Sequence, residues 1–192
     1  MSYLNREERR ETILRAAMSV ALDEGLTAMT VRHIAARAEV ATGQVHHHFA
    51  SAGELKAEAF IRLVREMLDI QIREAASSVR ERLFALLASE DGQLEPYIRL
   101  WRQAQLLAEG DEDLRRAYTF TMTLWHDEVV SVIQQGVDGG EFVQKDAVQD
   151  IAWRLIAMVC GLDGIYILPH SAIDDSAFRK HIEYIIQLEL LP

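Results

Sequence analysis

Cysteine, proline and long apolar runs are all scarce in this chain of 192 residues. A single cysteine, Cys160, excludes an intramolecular disulfide and a cysteine-rich metal site. With three prolines, Pro96, Pro169 and Pro192, most of the chain is free of the residue that interrupts helices. The longest apolar stretch, around Ile156 to Leu168, is broken by Asp163. It falls short of the ~20 residues of a membrane span. The opening MSYLNREERRE lacks the apolar core of a secretory signal, so a cytoplasmic location without membrane association is expected. Phosphate loops, nucleophile–base pairs and metal-ligand spacings are also missing. The polar cluster His126-Asp127-Glu128 reads as a solvated helix turn. An enzyme is therefore the unlikely alternative, with no catalytic residue, cofactor or metal expected.

Positive charge is in short supply too: 20 Lys and Arg stand against 30 Asp and Glu, a net charge of −10. That balance argues at first against nucleic acid, whose phosphates are met by Lys and Arg. The distribution softens the argument. Residues 1–60 carry seven basic and eight acidic side chains, and four of the seven histidines, His33, His46, His47 and His48. The excess acid belongs to the rest of the chain, so the local arrangement has to decide.

Apolar residues recur at intervals of three and four, not two, which predicts an all-α fold. A first helix is expected from about Asn5 to Glu24, with Ile13, Ala17, Val20 and Ala21 inward and Gly25 as its stop. Thr30 is a suitable N-cap for a short helix to Arg37, with Val31, Ile34 and Ala35 inward. Ala38-Glu39-Val40 breaks the pattern, and a second short helix runs from Ala41 to His47. Ser51 and Glu54 have the spacing of a capping box opening a long helix to about Ala75. Further helices are expected over 79–88, 95–108, 111–137, 146–168 and 174–190. Asp111, Asp146 and Asp174 are their candidate caps, and Gly139-Gly140 is a break.

Two short helices across a three-residue turn make a helix-turn-helix, whose second helix enters the major groove. In Ala41-Thr-Gly-Gln-Val-His-His-His48, Val40 and Val45 can anchor the buried side, leaving Thr42, Gln44 and His47 for base edges. Gln suits adenine, and Thr a base or a thymine methyl. Gly43 permits close backbone approach. Consecutive helical residues point ~100° apart, so His46-His47-His48 do not converge on one metal ion.

The segment Thr30 to Leu55 resembles the DNA-binding signature of the TetR (tetracycline-repressor) family. The shared features are Thr-Val-x-x-Ile-Ala, the glycine of the second short helix, the His-Phe pair and Ser-x-x-Glu-Leu. The stretch Gly161-Leu-Asp-Gly-Ile165 is similar to the BetI-like subgroup. The resemblance implies an N-terminal three-helix helix-turn-helix domain, residues 1–50, and a C-terminal helical ligand-binding and dimerisation domain, residues 51–192. It implies a homodimer on a palindromic double-stranded DNA operator, released by a small-molecule effector. Thr30 and Lys56 would meet phosphates, Thr42, Gln44 and His47 would meet bases, and His46 and His48 would meet phosphates; Arg32 and Gly43 join this set. Arg6, Arg9 and Arg10 form either an N-terminal arm on the DNA or an ordinary solvated face shared with Glu7, Glu8 and Glu11. A ligand-independent DNA-organising dimer is the other alternative.

Some positions depart from the family pattern. Glu39 stands where Gly is common in the turn, Ala41 replaces the usual serine cap, and Ala50 and Ala52 replace frequent lysines. Beyond the motif, Tyr97, Trp101, Tyr118, Met122, Trp125 and His126 form stripes that serve as core or as a pocket wall. With Asp163, a carboxylate in an apolar helix, they suit a cationic or amphiphilic effector. Asp163 reads more simply as a cap or dimer-interface residue, and Cys160 as a small core residue. The apolar residues Ile151, Leu155, Met158, Val159, Leu162, Tyr166, Phe178, Ile182, Ile185 and Ile186 suggest a four-helix dimer interface. Histidines in place of lysines predict tighter operator binding at pH 6 than at pH 8. Equal affinity at both pH values, by fluorescence anisotropy with the protein folded throughout, would count against it.

Overall fold

The computed structural model describes residues 5–74, 78–88, 94–169 and 172–192. Among the described residues the regular structure is helical: α1 Arg6–Glu24, α2 Val31–Arg37, α3 Thr42–His48, α4 Ala52–Glu74, α5 Val79–Leu87, α6 Glu95–Leu107, α7 Glu112–Asp138, α8 Val148–Tyr166 and α9 Asp175–Leu190. A 3₁₀ turn, Leu26–Ala28, links α1 to α2. None of the described helices is long and apolar enough to cross a membrane. The expected end of α4 near Ala75 lies outside the described residues.

The helix ends follow from short-range chemistry. Asn5 and Glu8 cap α1 reciprocally, and Thr30 accepts from the His33 amide at the start of α2. Asp111 accepts from the Leu114 amide, and Asp174 from that of Ala177. Ser51 accepts from the Glu54 amide as expected. The Glu54 carboxylate, however, reaches the amide of Ala50, one residue earlier than in a standard box. Asp146 is not a cap: Ala147 is the N-cap residue of α8, and the Asp146 carboxylate accepts from the Ala147 amide beside it. Its other oxygen accepts from Arg154, which also forms two hydrogen bonds with Glu189 on α9.

The chain packs as two compact units. One comprises residues 1–67 and 94–122, the other 68–93 and 123–192. In the first, Ile13, Leu14, Ala17, Val20 and Ala21 of α1 are fully buried, with Ile34, Val45, Phe49, Leu55 and Phe60. Val31 and Val40 are only half-buried. Helix α6 holds the end of α1. The Arg99 guanidinium donates to the Leu22 carbonyl, and the Gln103 amide oxygen accepts from Leu26 N–H at 2.8 Å. These are orphan backbone groups at a helix terminus and its turn. Gly25 makes this possible: its φ is +92°, and a Cβ there would lie 2.7 Å from the Gln103 amide.

In the second unit Leu83, Leu86, Val129, Ile133, Ile151, Leu155, Ile182 and Ile186 form the core. The last carbonyls of α5 are met from outside: Ala85 accepts from Gln71 and Leu86 from the Trp125 indole, each at 2.8 Å. Gly136 leaves room for the Phe142 ring, which lies 2.2 Å from where a Cβ would stand.

Glu39 sits at φ +55°, the left-handed turn conformation that costs a non-glycine residue ~1 kcal/mol. Ala41 gives α3 no side-chain cap. Glu39→Gly and Ala41→Ser should therefore each raise stability by ~0.5–1 kcal/mol. Urea denaturation checks this, and a loss of stability in both would contradict the account.

Candidate nucleic-acid interface and effector residues

Packing leaves one side of α3 open. Val45 is buried against the rest of the unit, while Thr42, Gly43, Gln44, His46 and His47 are exposed. His48 is half-buried, its ring edge-on to that of His47 at 5.4 Å. Phe49, buried, ends the helix, and the Arg10 guanidinium lies 4.6 Å from its ring centroid. The residues expected to meet bases thus share one solvent-facing surface, because a seven-residue helix anchored by one valine has little else to bury.

The arginines of this unit divide into two groups. Arg10 is held by Glu58 through both guanidinium nitrogens, at 2.8 and 2.5 Å. Arg37 bonds Ser19, Asp23 and Glu24, and Arg62 pairs with Glu11. Those cations fasten helices together. Among the described residues no ion pair engages Arg6, Arg9, Arg32 or Lys56. Arg32 is exposed and Lys56 half-buried, and the Thr30 oxygen is occupied by capping His33 while its proton remains available. Arg9 donates to the Gln44 amide oxygen at 2.8 Å. The sequence marked these N-terminal arginines only as an arm or a solvated face. The separation of 35 positions between Arg9 and Gln44 hides the pairing from any local pattern.

Positive surroundings act on His48. Desolvation, then His47, then Arg6, Arg9 and Arg10 push its imidazole below the ordinary histidine range. A cationic His48 on a phosphate thus requires proton uptake as the DNA arrives. Arg10 and Arg37 are held firmly protonated, chiefly by hydrogen bonds to Glu58 and Asp23 respectively.

The residues proposed for an effector fall into both units, and each group stands by itself. In the first unit, the Trp101 ring lies edge-on between Phe60 and Tyr118, 6.2 Å from each. Tyr97 is half-buried, and burial followed by the Glu66 charge pushes its phenol pKa up. Met122 is half-buried. In the second unit, Trp125 is buried, and the His126 ring stacks on Trp153 at 4.3 Å. His126 Nε2 lies 3.1 Å from the Gln149 carbonyl oxygen. His126 is therefore mostly buried, not the solvated turn residue that its sequence neighbours suggested. Asp163 is half-buried on α8, and its charge, after desolvation, raises the Cys160 thiol pKa. Cys160 is on the exposed side of α8 rather than in the core, and the raised pKa keeps it a poor nucleophile. Among the described residues no group of three His, Cys, Asp or Glu side chains is placed to hold a metal.

Residues 13–59 match the family described as bacterial regulatory proteins, tetR family. Residues 72–190 match the C-terminal part of BetI-type transcriptional repressors. The chain is 30% identical over 165 residues to the HTH-type transcriptional repressor KstR2 of Mycolicibacterium smegmatis, covering 77% of this chain and 74% of that one. Its fold is similar to that of a transcriptional regulator from Saccharomonospora viridis solved in complex with choline. That likeness has a TM-score of 0.76 at 23% identity, over 96% of this chain and 98% of the other. It is similar also to the regulator FadR from Bacillus subtilis solved with stearoyl-CoA, at TM-score 0.69 and 16% identity, over 93% and 97% of the two chains.

Gly43 has nothing within 4 Å of a Cβ position. Gly43→Ala should keep or raise stability, by up to ~1 kcal/mol. It should weaken binding to DNA by ~1–3 kcal/mol through overpacking. Denaturant unfolding and anisotropy titration separate the two effects; undiminished DNA affinity would remove Gly43 from the interface. For His48 the folded pKa is below the unfolded value of about 6.5. Its contribution to stability is complete above that pH and is lost as pH falls through it, because the unfolded chain takes up the proton first. His48→Gln should flatten the loss of stability between pH 7 and pH 5, as read by thermal unfolding.

Proposed function

This chain belongs to the TetR family of bacterial regulatory proteins, and from that membership we propose that α3 reads its operator and that a cation entering its C-terminal part releases it. The chain is a ligand-responsive, DNA-binding transcriptional regulator of a family of repressors, and not an enzyme. Members of the family bind operators as dimers and respond to small molecules. In our reading, residues 1–50 are the DNA-binding domain and residues 51–192 the ligand-binding and dimerisation domain. Thr42, Gln44 and His47 meet bases. Thr30, Arg32, His46, His48 and Lys56 meet phosphates, with Gly43 at the closest backbone approach.

One observation carries the ligand response: α6 bears both the aromatic residues and the grip on α1. Tyr97 and Trp101 lie on the same helix as Arg99 and Gln103, which hold the Leu22 carbonyl and the Leu26 amide. A ligand that shifts Trp101 therefore acts on the helix that steadies the DNA-binding helices. By favouring one of two dimer states, it changes the spacing on which two-half-site binding depends.

The aromatic row Phe60–Trp101–Tyr118, with the Glu66 charge acting on Tyr97, suits a cation, and an amphiphilic one can extend along the apolar helices. The choline bound by the Saccharomonospora viridis protein is in keeping with this. The stearoyl-CoA bound by FadR supports an acyl amphiphile as the competing reading.

The dimer surface is proposed on α8 and α9. Ile151, Leu155, Leu162, Ile182 and Ile186 are buried within the protomer itself. The apolar side chains left outside are Trp153, Ile165, Tyr166, Tyr184 and Leu188. These, more than the buried set, are what a second copy can cover.

Choline and a long-chain quaternary ammonium should raise the thermal midpoint and abolish the operator footprint, and Trp101→Leu should weaken that response by ~0.5–2 kcal/mol with DNA binding kept. Stabilisation by stearoyl-CoA alone would favour the acyl reading. A footprint that no ligand alters would support the DNA-organising alternative.

A further inference from the structure

We propose that Arg9 is a specificity-determining residue: by holding Gln44 through its amide oxygen, it sets the pair to read guanine rather than adenine. This rests on the reading of α3 as the helix that enters the major groove.

Arg9 lies in the first turns of α1 and Gln44 on the exposed side of α3, and Arg9 Nη1 donates to Gln44 Oε1 at 2.8 Å. A guanidinium has donors and no acceptor, so the atom facing it must be the amide oxygen. The amide NH₂ is then turned away from Arg9. A glutamine unconstrained by neighbours pairs with adenine through both ends, its oxygen accepting from N6–H and its nitrogen donating to N7. Here the oxygen is engaged and a cation stands beside it. The outward edge of the pair carries the two amide protons and the remaining guanidinium N–H groups. Guanine presents two acceptors, N7 and O6, and no donor on its own major-groove edge. Adenine would set its N6–H donor against a donor-rich edge.

The surroundings keep the pair intact. Arg10 is committed to Glu58 and Phe49 and does not substitute for Arg9. Glu8 is committed to the Asn5 amide. Gly43 beside Gln44 brings no side chain to compete for the amide.

Selection from randomised duplexes by the full-length chain tests the proposal, with the wild type, Arg9→Met, Gln44→Ala and the double variant compared. Gln44 is exposed and Arg9 half-buried, and thermal unfolding of each variant verifies that the fold is kept. The wild type should enrich guanine at one position in each half-site, and Gln44→Ala should erase that preference. Arg9→Met should replace guanine by adenine there, a change of about tenfold in relative affinity. The double variant should resemble Gln44→Ala.

If Arg9→Met keeps the guanine and merely weakens all sequences equally, Arg9 is a phosphate contact and the proposal falls. The salt slope would then shrink by ~0.9. Adenine at the Gln44 position in the wild type overturns it as well. If Gln44→Ala changes no position, the placement of α3 in the groove fails and takes the proposal with it. If the wild type enriches no sequence, operator binding itself fails.

Discussion

Helices of seven residues are unstable by themselves in water, where ~12–15 residues are marginal. Both α2 and α3 have that length. Their existence depends on burial against α1, whose Ile13, Leu14, Ala17, Val20 and Ala21 are out of contact with solvent. Ile34, Ala35 and Val45 are the short helices' share of that core. The exposed side of α3 follows from the same constraint. With one valine buried, most of the other side chains of α3 are left open to solvent. Stability of α3 and the exposure of its outer side are two results of one packing arrangement.

The same economy governs charge. An acidic chain that binds a polyanion has to spend few cations on its own scaffold. Arg10, Arg37 and Arg62 are nonetheless committed to Glu58, Asp23 with Glu24, and Glu11. They tie α1 to α4 and to α2, which are the joints that position α3. Arg6, Arg9, Arg32 and Lys56 stay out of ion pairs among the described residues. The division between arginines that fasten helices and those left out of ion pairs is not visible in net charge, which explains why a net of −10 did not exclude DNA binding.

Helix α6 has two duties in the first unit. Its apolar and aromatic residues, Leu100, Trp101 and Ala104, face the core or the aromatic row, while Arg99 and Gln103 satisfy backbone groups at the end of α1. Unpaired backbone groups at a buried helix end are costly. Moving α6 without repartnering them is therefore unfavourable, and this couples the helix to the DNA-binding helices by more than apolar contact.

Much of this was legible in the residues alone. Periodicity placed the described helix ends within one residue, except at α8, where both ends lie two residues inside the expectation. Thr30, Asp111 and Asp174 cap as their positions imply, and Glu39, which stands where the family commonly has Gly, takes a left-handed turn conformation. These are effects of neighbours within four residues, where chain connectivity fixes the geometry. Contacts across long separations decided the rest. Asp146 paired with Arg154, Arg154 with Glu189, and His126 stacked on Trp153. The apolar residues of α8 and α9 divided into a core and an outer face because helical spacing shows that a stripe exists, not which partner covers it. The sequence by itself determined a helix-turn-helix with Gln44 on its second helix. Only the tertiary structure brought Arg9 to that glutamine, because a hydrogen bond across 35 residues depends on how α1 and α3 pack.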